Sequence, residues 1–228
     1  MKLGDYIAKC NKAKLMKGQF FPYKDENPSS KFPIVTVSLI IVNVVIFAWS
    51  LLDFENVINA YGFTPLHFSI LTMFTSMFLH GGIGHIFGNM WYLWIFGDNV
   101  EDRFGRIKYL LFFLAAGIFA SVAHFLSEPA SAIPAIGASG AISGVLGAYA
   151  AIFPRVKVKV ISYYTSFEIP AYVMIGLWFA IQLFSGVVSV LGDLGGGGIA
   201  FFAHIGGFVF GYLVGFIYTR IWERGKKT

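Results

Sequence analysis

Ser139 and His204 are the residues of this sequence whose side chains, if brought together, could break a peptide bond. A serine hydroxyl is a weak nucleophile until a base takes its proton, and imidazole is the usual base. Ser139 lies in Gly137-Ala138-Ser139-Gly140, the opening turn of an expected short helix of Gly, Ala and Ser over 136–153. Free backbone N–H groups and the positive end of the helix dipole converge at such an opening, which suits an oxyanion beside the hydroxyl. Taken alone, the motif is better read as close helix packing through Gly140, Gly144 and Gly147. His204 changes that balance. No other His, Lys, Arg, Asp or Glu occurs within 200–219, and Gly207, Gly211 and Gly215 follow it at i+3, i+7 and i+11 on one helical face. Two glycine-lined faces laid together would bring hydroxyl and imidazole within hydrogen-bond reach. The competing reading is a lone histidine satisfied by a carbonyl or by water.

His85 and Asn89 are spaced i, i+4 and so share a face. An amide and a neutral imidazole are both donors that can complete a hole for a carbonyl oxygen. Their alternative role is interhelical hydrogen bonding, worth about 1 kcal/mol or less in a membrane. His80 reads as an anchor for the segment 54–79. A metal shared by His80, His85 and His204 is disfavoured, since no carboxylate or Cys accompanies them in any expected helix and HExxH is absent. Neither a metal nor a cofactor is therefore expected. The single cysteine, Cys10, cannot form an intrachain disulfide.

These polar residues are set in an apolar chain. Of 228 residues, 57% are hydrophobic and only 13% charged, where soluble domains carry about 25% charged. That much apolar surface excludes both a disordered chain and an ordinary soluble domain. Spans of about 20 apolar residues are expected at 33–53, 107–126, 170–191 and 200–219, with shorter ones at 82–97 and 136–153. The two shorter spans would cover only ~24–27 Å. The apolar stretch 66–79 would be a seventh, but charge argues against it. With six crossings and 66–79 at the interface, the N-terminal segment, the loops at 98–108 and 154–169, and the C-terminal tail share one side, and all 17 Lys and Arg fall there. Asp53, Glu55, Glu128 and Asp193 occupy the other side. The positive-inside rule then makes both termini cytoplasmic. It also accounts for the net charge of +5 without nucleic acid, since no basic patch is interleaved with base-stacking aromatics. In this topology His80, His85, Asn89, Ser139 and His204 all lie near the outward ends of their helices, at one depth. Residues 1–32 read as a Lys-rich cytoplasmic segment without a cleavable signal peptide, its Lys residues among Tyr6, Ile7, Leu15 and Met16 suiting anionic headgroups. Residues 33–221 form the helical domain and 222–228 a basic tail. No oligomeric state follows from the sequence.

The motifs together resemble the rhomboid family of intramembrane serine proteases. His80-Gly81-Gly82-Ile83-Gly84-His85-Ile86-Phe87-Gly88-Asn89 is similar to its HxxxxHxxxN motif, Gly137-Ala138-Ser139-Gly140 to its GxSG motif, and Ala203-His204-Ile205-Gly206-Gly207-Phe208-Val209-Phe210-Gly211 to its AHxxGxxxG helix. Residues 97–105 resemble its GxxxExxxG turn, and the likeness runs from about 33 to 221 in order. The resemblance implies an all-α, six-transmembrane-helix bundle with a membrane-embedded L1 segment at 54–79. It further implies a Ser139–His204 dyad without a carboxylate. The oxyanion hole would be made of His85, Asn89 and the Ser139 backbone N–H, with close packing at Gly207 and Gly211. Glu101 and Arg103 would brace the cytoplasmic turn, and 170–191 would be a mobile fifth helix near which substrate arrives. Its substrates would be transmembrane proteins in the plasma (inner) membrane, cut near the outward end of a helix that unwinds easily, after a small residue. The Trp-Arg pair that some members carry in L1 is missing between 54 and 79. Inactive relatives lack the serine or the histidine, and both are present here. The rival readings are a six-helix transporter, which would want polar residues along the inner halves of the helices, and a helix-binding protein without chemistry.

Overall fold

The computed structural model describes residues 21–27, 29–162, 165–191 and 200–225. The expected headgroup-binding Lys residues of 1–20, Asp193, Lys226 and Lys227 lie outside the described residues, as does Cys10. Among the described residues six long helices carry the fold: α1 (Ile34–Ser50), α4 (Ile83–Phe104), α5 (Arg106–Ser127), α6 (Ser139–Ile152), α7 (Ala171–Leu191) and α8 (Phe201–Gly225). Two short helices, α2 (Phe54–Tyr61) and α3 (Ile70–Thr75), lie between α1 and α4. Three helices, α5, α7 and α8, are each long and apolar enough to cross a membrane, and α1 and α6 are shorter apolar helices. Large apolar side chains cover outer faces on four of the helices, among them Val45, Leu111, Phe184 and Ile217, all more than half exposed in the case of Val45, Leu111, Phe184 and Ile217. Water does not tolerate such continuous apolar surface, whereas lipid does.

The centre of the bundle is α6. Every residue from Gly140 to Tyr149 is buried, and α4, α5, α7 and α8 all pack against it. Glycine permits this. A β-carbon on Gly207 or Gly211 would overlap the backbone carbonyl of Gly140 or Gly144, and one on Gly215 would lie 2.9 Å from Ala148. The α6–α8 contact is thus backbone against backbone, the arrangement small residues allow where lipid supplies no hydrophobic drive.

Two expectations are corrected. The chain between 98 and 108 is not a loop: α4 runs on to Phe104 and only Gly105, at φ +78°, separates it from α5. The charged residues that suggested a loop have partners that keep them helical. Glu101 accepts from the Val35 and Thr36 backbone N–H groups at 3.0 and 2.8 Å and from the Thr36 hydroxyl at 2.9 Å. It therefore ties α4 to the start of α1, supplying acceptors to N–H groups that have none within their own helix. Second, the all-α expectation gives way to a largely helical fold with a small antiparallel sheet, β1 (Phe21–Asp25), β2 (Lys157–Ser162) and β3 (Thr165–Pro170), in the order β1-β2-β3. Val158 and Val160 face inward, fully buried, between outward Lys157 and Lys159, the two-residue period of a half-buried strand. The last helix, α8, continues to Gly225.

Replacing Glu101 with Ala leaves the two α1 N–H groups without their acceptor. The expected loss is about 2–3 kcal/mol, read as a lower unfolding midpoint in detergent; an unchanged midpoint would count against this role.

The segment 54–79 is held without a Trp-Arg pair. Phe63 and Ala135 exchange backbone hydrogen bonds at 3.1 and 2.8 Å, and the Gly137 N–H donates to the Ser76 carbonyl at 2.9 Å. Met77 fills the space that a side chain on Gly117 would need. The stretch Ile70–Phe78 meets α4 at 90°.

Candidate active site

Four elements converge on one cleft. Ser139 is the first residue of α6, and His204 lies in the first turn of α8. The glycine-mediated contact just described sets their separation: His204 Nε2 lies 2.8 Å from Ser139 Oγ. The positions following His204 on its α6-facing side are glycines, so the helix axes come close enough for two short side chains to meet. At its other nitrogen, His204 Nδ1 is 2.9 Å from Gln182 Oε1 on α7.

The cleft has a volume of about 580 Å³ and runs between α4 and α7, with α6 as its floor. Its polar end holds His85, Asn89, Ser139, Gln182 and His204, while Ile142, Leu146, Ile175 and Ile181 make the rest apolar. Gly84 and Gly88 leave open space on the α4 wall.

His85 and Asn89 lie where the i, i+4 spacing put them, on the cleft side of α4. The Gly81 N–H donates to His85 Nδ1 at 3.2 Å. That bond requires Nδ1 to be the acceptor, which leaves the proton of a neutral ring on Nε2. Nε2 is the nitrogen beside Gly137, close enough that a β-carbon there would sit 2.9 Å from it. Gly137, at φ +127°, has a backbone that side-chain-bearing residues rarely adopt. It is therefore constrained twice, by its backbone and by the imidazole next to it. Asn89 Nδ2 donates one proton to the His85 carbonyl at 2.9 Å and keeps a second amide proton. Gly140 packs on Ala120 of α5 and does not line the 580 Å³ cleft. Gly207 and Gly211 likewise act through backbone contact.

His80 is not in the cleft. It is fully buried behind His85, ring centroids 5.2 Å apart and edge to face, and neither of its nitrogens finds a hydrogen-bond partner among the described residues. Arg103 and Glu101 also act across elements instead of within a local turn: the Arg103 guanidinium lies over the Phe153 ring at 5.0 Å, and its carbonyl accepts from Tyr218.

Gln182 is the residue that reading the sequence passed over. An amide in the middle of an otherwise apolar helix is costly unless it finds a partner, and that signal was present within 170–191. Nothing local said which side of α7 it would occupy.

Chemically, the arrangement offers a hydroxyl in contact with a base. It also has helix-N-terminal backbone N–H groups and two side-chain donors beside it, and an apolar trough leading away.

Known proteins are similar to this chain in the same region. The Rhomboid domain family matches residues 67–221. The Rhomboid protease GluP of Bacillus subtilis is 37% identical over 126 residues, covering 54% of this chain and 24% of that protein. RHOMBOID-like protein 6, mitochondrial, of Arabidopsis thaliana is 32% identical over 149 residues, 64% of this chain and 42% of that protein. Rhomboid protein 1, mitochondrial, of Saccharomyces cerevisiae is 27% identical over 233 residues, 93% of this chain and 64% of that protein. The chain spans from about a quarter to under two thirds of the length of these relatives. With the matched region covering every wall of the cleft, the chain is a multi-pass membrane protein that belongs to the rhomboid family.

Proposed function

We propose that this protein is an intramembrane serine endopeptidase that hydrolyses a peptide bond in or near the transmembrane helix of a membrane-protein substrate. The observation that carries the reading is the 2.8 Å contact between Ser139 and His204 at the head of an apolar cleft. His204 Nε2 takes the hydroxyl proton as Ser139 Oγ attacks the carbonyl carbon. The oxyanion is held by the Ser139 backbone N–H with donors from His85 and Asn89. His204 then gives its proton to the leaving amine, which departs with the C-terminal part of the substrate. Water, losing a proton to His204, cleaves the remaining ester. A cavity of about 40 Å³ on the opposite side of Ser139, lined in part by Ser76, Ser121 and His124, is large enough to hold such water. His124 Nδ1, buried without a hydrogen-bond partner among the described residues, supports that use.

Residues 33–221 form the proteolytic unit. Six helices cross the plasma (inner) membrane with both termini cytoplasmic, and 54–79 lies in the outer interface as L1; the grouping of all 17 basic residues on one side supports this topology. The partners are the bilayer and transmembrane substrates, and nucleic acid has no part. An apolar trough suits an apolar helix, and unwinding it costs less where Gly or Pro interrupts it. Preference for a small residue before the cut follows from the family likeness.

A fluorophosphonate probe on the full chain in detergent tests the reading. Wild type should be labelled and Ser139→Ala should not; equal labelling of the two would reject the nucleophile and leave a helix-binding protein or transporter. Asn89→Ala should lower turnover of a transmembrane-helix substrate by about 10²-fold, as loss of one oxyanion donor does. Unchanged turnover would remove Asn89 from the hole.

A further inference from the structure

We propose that Gln182 is a positioning residue for His204, holding its ring in the one tautomer that can take a proton from Ser139. The inference rests on the proteolytic reading above and adds a third member to the pair. A neutral imidazole has one N–H and one lone pair, on opposite nitrogens. Gln182 Oε1, an acceptor only, lies 2.9 Å from Nδ1, and Ser139 Oγ lies 2.8 Å from Nε2. An acceptor at Nδ1 requires the proton there, so the Nε2 lone pair faces the hydroxyl and Ser139 must donate to it. Without that acceptor the two tautomers compete. In the other one, Nε2–H would point at Oγ and the base would be unable to act.

Gln182 also limits rotation of the ring. Trp178, one turn earlier on the same face of α7, lies with its ring 6.2 Å from that of His204. Of its neighbours in sequence, Leu183 is exposed and Ile181 lines the apolar part of the cleft. An amide turned inward among them is worth its desolvation only if it is bonded. Being neutral, it orients the imidazole without the full charge stabilisation that a carboxylate gives an imidazolium. Its place on α7 has a consequence: α7 is a wall of the cleft, so shifting that wall moves the acceptor away from the base.

The test uses the full chain in proteoliposomes with a transmembrane-helix substrate, together with nitrogen NMR of ¹⁵N-histidine protein. Gln182→Leu, which has no acceptor, should lower kcat by about 10–100-fold with little change in KM, and His204 should change from the Nδ1–H form to a mixture of tautomers. Gln182→Glu keeps an acceptor oxygen and should recover kcat to within a few-fold of wild type. Wild-type kcat and an unchanged tautomer in Gln182→Leu would overturn the proposal. So would a Gln182→Glu variant as impaired as Gln182→Leu, because the residue would then be donating or merely packing. If wild type neither takes the fluorophosphonate nor cleaves substrate, the proteolytic reading fails. The tautomer of His204 still reports, separately, whether Gln182 holds it.

Discussion

His204→Ala is expected to lower cleavage of a transmembrane-helix substrate by about 10⁴-fold or more, while the helical fold survives. Serine hydrolysis loses on that order when the base is removed, since the nucleophile and its base act as a unit and either loss disables both. His204 touches Ser139 through a single bond at 2.8 Å, and among the described residues no second imidazole makes that bond. The variant keeps the donors around the oxyanion position, which sets the residual rate. The fold should persist because α8 is held to α6 by backbone contact at Gly207 and Gly211, not by the histidine. Turnover in proteoliposomes and the circular dichroism melting curve measure the two halves of this expectation. A His204→Ala protein cleaving within tenfold of wild type would remove His204 from the reaction.

Gly211→Ala, far from any reacting atom, is expected to cost about 10²-fold in turnover and to lower the melting midpoint clearly. The added methyl would overlap the Gly144 carbonyl. Backbone cannot rotate out of the way as a side chain can, so the two helices must separate. Overpacking of this kind costs about 1–3 kcal/mol and sometimes more. Separation by about 1 Å is enough to spoil a hydrogen-bonded nucleophile and base, with losses near 10²-fold. Gly176→Ala on α7 is the control, because a β-carbon there meets nothing within 4 Å. Equal activity and melting in the two variants would show that the α6–α8 contact does not set the Ser139–His204 distance.

Much of the fold was legible because membrane helices announce themselves. Their length and apolar character are local properties, and α1, α5, α6 and α7 begin and end within about three residues of the expected spans. The helix α4 was cut short in the reading because Asp98, Glu101 and Asp102 look like the end of a span. Their partners, Asn99 for Asp98, Thr36 for Glu101 and Ser30 for Asp102, include residues more than 60 positions away that no local window contains. The small sheet was missed for a related reason. The alternation of Lys157-Val158-Lys159-Val160 is a strand signal, but its charges also fit a basic cytoplasmic loop. What makes it a strand is pairing with Phe21–Asp25, more than 130 residues earlier.

The candidate site divides in the same way. Residue type and spacing alone determined that Ser139 opens a small-residue helix, that His85 and Asn89 share a face, and that His204 heads a row of glycines, because the helical repeat fixes which neighbours on one helix look the same way. Tertiary structure decided the rest: that the glycine rows of α6 and α8 face each other, that His80 packs behind the cleft instead of lining it, and that Gln182 reaches His204 from α7. A helix's own repeat says nothing of how far it is turned relative to its neighbours. That rotation is chosen by the packing of the whole bundle, and the distance between a hydroxyl and an imidazole depends on it.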